Sequence, residues 1–231
     1  MTIWLPLLIL VSTLIIGVPI YICMLLAGGI YFFINPSVGT FIVPQLINAG
    51  IMKFSLLAVP FFILSGICMN TTGITKRLMD FCETLVGHLS GGLAHVNILL
   101  STLMGGLSGS NIADAAMQAK MLVPEMEKRG FSKDYSSVIT ACSALITPII
   151  PPGVGMILYA FIADVSVGKM FMAGFLPGIL MCLEQMALNA YISKKRGYAP
   201  IRKNRATMKE IVKTGKTSIL ALFFPVIIIV G

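Results

Sequence analysis

Long apolar runs without a single charge set the pattern of the chain. Met1–Met52, Phe54–Thr75, Thr84–Ala113, Tyr135–Ala163 and Met170–Leu183 contain no Asp, Glu, Lys or Arg. Uncharged runs of about 18 residues or more read as membrane-spanning. Ile3–Ile34 predicts one tilted span with Gly17 and Pro19 near its middle and Asn35-Pro36 at its exit. Thr40–Met52 carries Pro44, Gln45 and Asn48, which suits a segment lying at the interface. Phe54 to Met69 predicts a second span, ending at the turn Asn70-Thr71-Thr72-Gly73. Over Lys76–Leu89, the charges Lys76, Arg77, Asp80 and Glu83 recur at helical spacing beside Leu78, Met79, Phe81, Leu85 and Val86, the pattern of an amphipathic helix on the membrane surface. The last apolar run, Ser218–Gly231, is shorter than the roughly 20 residues of a span, so the expectation is a truncated or split polypeptide.

Composition agrees with this class. Of 231 residues 57% are apolar and 11% charged, against roughly 25% charged in soluble domains, which excludes an ordinary soluble fold. The net charge of +8 follows the basic bias of cytoplasmic loops and does not call for nucleic acid. If the Lys76/Arg77 side is cytoplasmic, every basic residue except Lys53 and Lys169 falls on that side, together with the N-terminus. That count requires Gly91–Val123 to enter and leave the membrane on the same face. The first run has no basic stretch before it and no small-residue cleavage site, so it is expected to stay as a membrane helix and not to be a cleaved signal peptide. Cys23, Cys68, Cys82, Cys142 and Cys182 lack the paired spacing of metal or redox sites, and His88 and His95 lack a third ligand; these histidines are expected at the interface or hydrogen-bonded. The basic run Lys194–Lys216 is expected against inner-leaflet lipid.

The polar residues that interrupt the apolar runs carry the chemistry. Leu93–Leu107 and Ile112–Val123 are helical in period, separated by Gly105-Gly106-Leu107-Ser108-Gly109-Ser110-Asn111. Each arm crosses roughly half a bilayer at ~1.5 Å per residue, which predicts a re-entrant helical hairpin with its tip near the midplane. Such backbone is tolerated only where protein or a water-filled cavity satisfies it. Ser101, Gly105, Gly109 and Ala113 also form a small-residue stripe suited to close helix packing. Packing alone leaves Ser108, Ser110, Asn111 and Asp114 unexplained, so the tip is read as a binding site.

Thr147-Pro148-Ile149-Ile150-Pro151-Pro152-Gly153 breaks the run Tyr135–Ala163 at its centre. The prolines remove backbone donors and disfavour helix before them, predicting one half-helix to about Ile146 and another from about Pro152. Half-helices starting near Asn111 and Pro152 aim free N–H groups at the membrane centre, while the preceding halves aim carbonyls there. That arrangement is the pointer to secondary transport of an anion with a coupling cation. Oxygens of Ser108, Ser110, Asn111 and Thr147 and free carbonyls suit sodium; Asp114 is the one acid here able to carry a proton, though a first-turn structural role is the preferred reading.

The ordered series Leu56-Leu57-Ala58-Val59-Pro60-Phe61-Phe62, Gly91-Gly92-Leu93, Leu107-Ser108-Gly109-Ser110-Asn111-Ile112-Ala113-Asp114, Pro148-Ile149-Ile150-Pro151-Pro152-Gly153 and Lys169-Met170-Phe171-Met172-Ala173-Gly174-Phe175-Leu176-Pro177-Gly178 resembles the large membrane subunit of tripartite ATP-independent periplasmic (TRAP) transporters. The resemblance covers essentially the whole chain. It implies an all-α polytopic membrane protein, the first half of an inverted-repeat fold, in the bacterial inner membrane. It further implies a sodium-coupled elevator importing an organic acid such as a sialic acid or dicarboxylate, with a small membrane subunit and a periplasmic substrate-binding protein as partners. Residues 91–168 would form the transport part, and 1–90 and 169–231 the scaffold. Sodium would sit among Ser108, Gly109, Ser110, Asn111, Thr147, Pro148, Ile149, Pro151 and Gly153, and substrate near Ser110, Asn111, Asp114 and Pro152. No cofactor beyond sodium and no enzymatic centre are implied. The family's second hairpin and second broken helix have no counterpart here, so the chain alone is not expected to transport. A passive channel and a non-transporting membrane scaffold are the alternative readings.

Overall fold

Glycines and prolines decide where the apolar runs become separate helices. A computed structural model describes residues 4–35, 41–52, 60, 61, 64, 67, 68, 72–219, 222 and 223. Most of the predicted Phe54–Met69 span and of the Ser218–Gly231 run lies outside these residues. The chain divides into two units, Met1–Phe54 and Ser55–Gly231.

In the first unit the expected single span Ile3–Ile34 is two helices, α1 (Trp4–Ile15) and α2 (Ile20–Ile34), packed on each other. Gly17 at φ 85° ends α1. Its N–H reaches Leu14 O at 3.0 Å, and the Val18 N–H reaches Thr13 O at 3.1 Å, the paired closure that a left-handed glycine makes at a helix end. Pro19 then precedes α2. At 12 and 15 residues neither helix reaches the roughly 20 residues of a span. Their surfaces stay apolar all round, with Trp4, Leu8, Ile20 and Phe33 exposed. A third helix, α3 (Ile42–Ile51), holds Pro44 in its first turn, where a missing N–H costs nothing.

The second unit begins with the amphipathic helix, α4 (Ile74–Val86). Leu78, Cys82 and Val86 are buried at four-residue intervals, with Lys76, Arg77 and Asp80 on the exposed side. Two helices follow, α5 (Gly92–Ser108) and α6 (Asn111–Met121), then a short α7 (Val123–Lys128). The interrupted run gives α8 (Lys133–Ala144) and α9 (Val154–Ile162). Finally come α10 (Val167–Arg196), 30 residues and the one described helix long and apolar enough to cross a membrane, and α11 (Met208–Thr217).

Helix α5 is the centre of this unit, packed against α4, α8 and α10. Val96, Ile98 and Leu100 are fully buried, and so are the polar Asn97 and Ser101. His95 is buried too, but neither ring nitrogen has a hydrogen-bond partner among the described residues. Of the two expected settings, interface or hydrogen bond, His95 therefore does not have the hydrogen bond; it lies buried on α5 between the core residues Ala94 and Val96.

The loop after α10 closes the base of α5. The Gly91 N–H donates to Tyr198 O at 3.1 Å, and the Ile201 and Arg202 N–H groups donate to Gly87 O. Tyr198 stacks on Phe131 with ring centroids 4.2 Å apart. Burial pushes its hydroxyl up, but hydrogen bonds with Ser132 and Arg196 outweigh that and leave it below the ordinary tyrosine range. Gly91 has φ 69°, and a Cβ there would overlap the Ser193 hydroxyl oxygen. Gly91→Ala is therefore expected to destabilise the fold by roughly 2–4 kcal/mol, from left-handed strain plus overpacking. Thermal unfolding in detergent should show a lowered midpoint, partly restored by adding Ser193→Gly.

Candidate functional site

Short polar ladders tie the arms of the hairpin to each other and to the broken helix. On α5 and α8, Asn97 Nδ2 donates to Thr140 Oγ1 at 2.7 Å and accepts from the Ser143 hydroxyl at 2.8 Å through Oδ1. One turn nearer the tip, Gln118 Nε2 on α6 donates to Ser101 Oγ at 2.6 Å and to Asp114 Oδ1 at 2.7 Å. The Thr147 hydroxyl, just past α8, donates to Asp114 Oδ2 at 2.7 Å and lies 3.3 Å from Ser101 O. Asn97, Ser101, Asp114, Gln118 and Thr147 are all within 1% of full burial. Side chains of this kind in an apolar core demand partners, and here the partners fix the arms of the hairpin to each other and to the break.

The tip turns on Gly109 at φ 58°. Ser110 caps α6, its Oγ accepting from the Ala113 N–H at 3.5 Å, while Asn111 Oδ1 accepts from the Ile112 N–H at 2.9 Å. The Ser110 bond is the N-cap bond expected of Ser, and the Asn111 bond is to the next residue of the same turn. Asp114 stands in the first turn of α6, yet its side chain does not take up the free backbone donors there. Its carboxylate turns inward to Gln118 and Thr147, two side chains that offer stronger, buried partners.

The break falls where expected: α8 stops at Ala144 and α9 starts at Val154, each within two residues of the bounds the prolines suggest. Pro148 has no N–H for Ala144 O, which instead accepts from the Thr147 N–H at 3.3 Å, so the last turn tightens. Pro151 and Pro152 likewise cannot donate. Among the described residues the carbonyls from Thr147 to Pro152 accept no hydrogen bond. Gly153 then precedes α9 without a side-chain cap.

Tip and break are in contact. A Cβ on Gly109 would lie 2.7 Å from Pro152 O and 3.2 Å from Val154 N, so only glycine fits. The starts of α6 and α9 thus converge on one point, with Ser110 and Asn111 half-buried beside it and Pro151, Pro152 and Gly153 buried. One turn back, Gly105 meets Ile150 and Thr147 O. From the other side α10 presents Gly174 to Ile149 O and Met156, and Gly178 to Ile150. The stripe through Gly105 and Gly109 is therefore a packing surface as well as part of the candidate site. Of the predicted residues, Gly109, Pro152 and Gly153 meet directly, and Thr147 reaches Asp114. Ser108 ends α5, and Pro148 and Ile149 are half-buried on the break.

Several site residues escaped the sequence reading: Asn97, Gln118, Thr140, Ser143 and Asn189. The signal was there as pairs at helical spacing, Asn97 with Ser101, Asp114 with Gln118, and Thr140, Ser143 and Thr147. Asn189 on α10 accepts from the Tyr135 hydroxyl at 2.6 Å and from the Ser193 hydroxyl at 3.0 Å.

Residues 7–231 match the family described as tripartite ATP-independent periplasmic transporter, DctM component. The chain belongs to this DctM family. It is similar to the sialic acid TRAP transporter large permease protein SiaM of Vibrio cholerae, 39% identical over 93% of this chain and 50% of that protein. The sialic acid TRAP transporter permease protein SiaT of Haemophilus influenzae is 40% identical over 100% of this chain and 37% of its own length. The 2,3-diketo-L-gulonate TRAP transporter large permease protein YiaN of Escherichia coli is 40% identical over 94% and 50%. This DctM chain thus spans about half the length of the curated relatives it matches or less.

Proposed function

We propose that this DctM chain is part of a sodium-coupled secondary transporter that imports an organic acid anion, and that the junction of hairpin tip and helix break is its binding centre. The observation that carries this reading is the contact of Gly109 with Pro152 and Val154. It brings two helix N-termini, which favour anions, beside a run of unpaired carbonyls, which favour a hard cation. Sodium is assigned to the oxygens of Ser108, Gly109, Ser110, Asn111, Thr147, Pro148, Ile149, Pro151 and Gly153. The substrate's acid group is assigned to the N-terminal side, near Ser110, Asn111, Asp114 and Pro152. The relatives named for sialic acid and 2,3-diketo-L-gulonate support an acid as the substrate class.

The hairpin is read as re-entrant, with the N-terminus cytoplasmic in the inner membrane, because that orientation leaves only Lys53 and Lys169 among the basic residues outside. In the elevator reading residues 91–168 carry the site, and the smooth glycine face of α10 at Gly174 and Gly178 is the surface they move along. A small membrane subunit and a periplasmic binding protein complete the system.

Ser110→Ala and Asn111→Ala test this assignment. Each is expected to raise the sodium concentration for half-maximal uptake by roughly tenfold, about 1.4 kcal/mol of ion binding, measured in proteoliposomes holding the assembled transporter. Because both side chains also bond the start of α6, Ser110→Asn and Asn111→Ser serve as controls that retain a cap. If the alanine variants lower stability but leave sodium dependence unchanged, the tip is a packing element of a scaffold.

A further inference from the structure

The one described helix of membrane length carries an acid that nothing in this chain answers. Glu184 lies inside α10, ten residues before Lys194 and so about 15 Å from it along the axis. It is the only acid of that helix, and it is exposed. Its carboxylate makes no ion pair or hydrogen bond among the described residues. A carboxylate at such depth in a membrane is costly, and such groups pair with a cation or face a polar cavity. The long apolar runs of the chain hold no Lys or Arg, and Lys120, the one base of the hairpin arms, stands in the last turn of α6. Neither another span of this chain nor a span of a second copy therefore brings the cation.

Glu184 borders a groove of about 280 Å³ between α8 and α10, walled by Val138, Cys142 and Leu145 on one side and Gln185, Leu188 and Asn189 on the other. Both helices pack on α5, and two side-chain bonds bridge them. The Tyr135 hydroxyl donates to Asn189 Oδ1 at 2.6 Å, and Gln185 Nε2 donates to Cys142 O at 3.0 Å. Each bridge uses one end of an amide. The other ends, Asn189 Nδ2 and Gln185 Oε1, are buried without a partner among the described residues, and Asn189 is 0% exposed. Buried polar groups are normally bonded, so an unpaired donor and an unpaired acceptor one turn apart point to a missing neighbour. Around them Val138, Leu145 and Leu188 stay exposed.

The wall residues Val138, Cys142 and Leu145 follow helical steps of four and three, and Gln185 and Asn189 a step of four, so the groove runs along two helices and has the form that a third helix fills. We propose that it seats a membrane-spanning helix of a separate polypeptide that carries one lysine or arginine at the depth of Glu184. The cation pairs with Glu184 and donates to Gln185 Oε1. Apolar neighbours on the same helix cover Val138, Leu145 and Leu188, and an oxygen one turn away accepts from Asn189 Nδ2. The inference uses only the membrane setting of α10 and does not depend on sodium coupling.

The test is photo-cross-linking in phosphatidylcholine vesicles that hold the full chain, with Leu188 replaced by a photoreactive phenylalanine. The probe is a synthetic leucine-rich transmembrane peptide whose central residue is arginine or, for comparison, alanine. The arginine peptide is expected to cross-link about tenfold more than the alanine peptide, the effect of one polar contact between spans. Glu184→Gln should erase that preference, and Glu184→Arg should transfer it to a peptide with a central glutamate. The same photoreactive residue at Met172, exposed on α10 outside the groove, should show no preference. The proposal is overturned if the two peptides cross-link equally at Leu188, or if Glu184→Gln leaves the arginine preference intact. It is equally overturned if Met172 prefers the arginine peptide as strongly as Leu188 does, or if the Leu188 adduct is a second copy of the chain or lipid even with the arginine peptide present.

Discussion

Gly109→Val is expected to abolish sodium-dependent uptake while leaving the chain in the membrane. The position combines φ 58° with a would-be Cβ 2.7 Å from Pro152 O. Left-handed strain of about 1–2 kcal/mol adds to overpacking of about 1–3 kcal/mol, and both fall on the contact between tip and break. Even about 2.8 kcal/mol of that distortion expressed at the ion site weakens binding about a hundredfold. Gly130→Val is the matched control: φ is positive there too, at 86°, but nothing lies within 4 Å of the added Cβ. That variant should lose only the strain energy in a thermal unfolding assay and keep its sodium dependence. Equal losses of uptake in the two variants would mean that general destabilisation, and not the tip contact, governs transport.

Asp114 gives the second large effect, and its variants separate two roles. Asp114→Ala strands one Gln118 N–H in a buried site and leaves the Thr147 hydroxyl only the longer bond to Ser101 O at 3.3 Å. At about 1–3 kcal/mol for an unsatisfied buried group, the expected loss is roughly 1–3 kcal/mol in denaturant or thermal unfolding, with uptake lost alongside. Asp114→Asn keeps the shape and one acceptor, and the Thr147 hydroxyl can turn to Ser101 O, 3.3 Å away. As a positioning residue, Asp114 should tolerate asparagine with uptake reduced no more than about threefold, about 0.6 kcal/mol, and with an unchanged pH profile. If Asp114→Asn folds normally but stops uptake, Asp114 carries a proton and the positioning account is wrong.

What could be read from the sequence was whatever one local pattern determines. The amphipathic α4 was legible because Lys76, Arg77 and Asp80 alternate at helical spacing with Leu78, Cys82 and Val86. The break before α9 was legible because consecutive prolines remove donors wherever the chain goes. The division of Ile3–Ile34 into α1 and α2 was not, since Gly17 and Pro19 suit a kink as well as a turn, and only the Val18-to-Thr13 closure decides between them. Asp114 was visible as a lone acid in an apolar setting. Its partner Thr147 lies 33 positions on, a distance no periodicity spans. Gly174 and Gly178 stand in a motif of the family resemblance, but no local pattern shows that Ile149 and Ile150 come against them.

The central claim is that the hairpin tip and the helix break form one centre that couples sodium to an organic acid. Its most direct test is uptake of a labelled organic acid into proteoliposomes holding the assembled transporter, with membrane potential and pH held fixed while the sodium gradient is varied. The account predicts accumulation that rises with inward sodium and vanishes when the gradient is removed, with Gly109→Val flat at every sodium concentration. Accumulation indifferent to sodium in the wild type would contradict it.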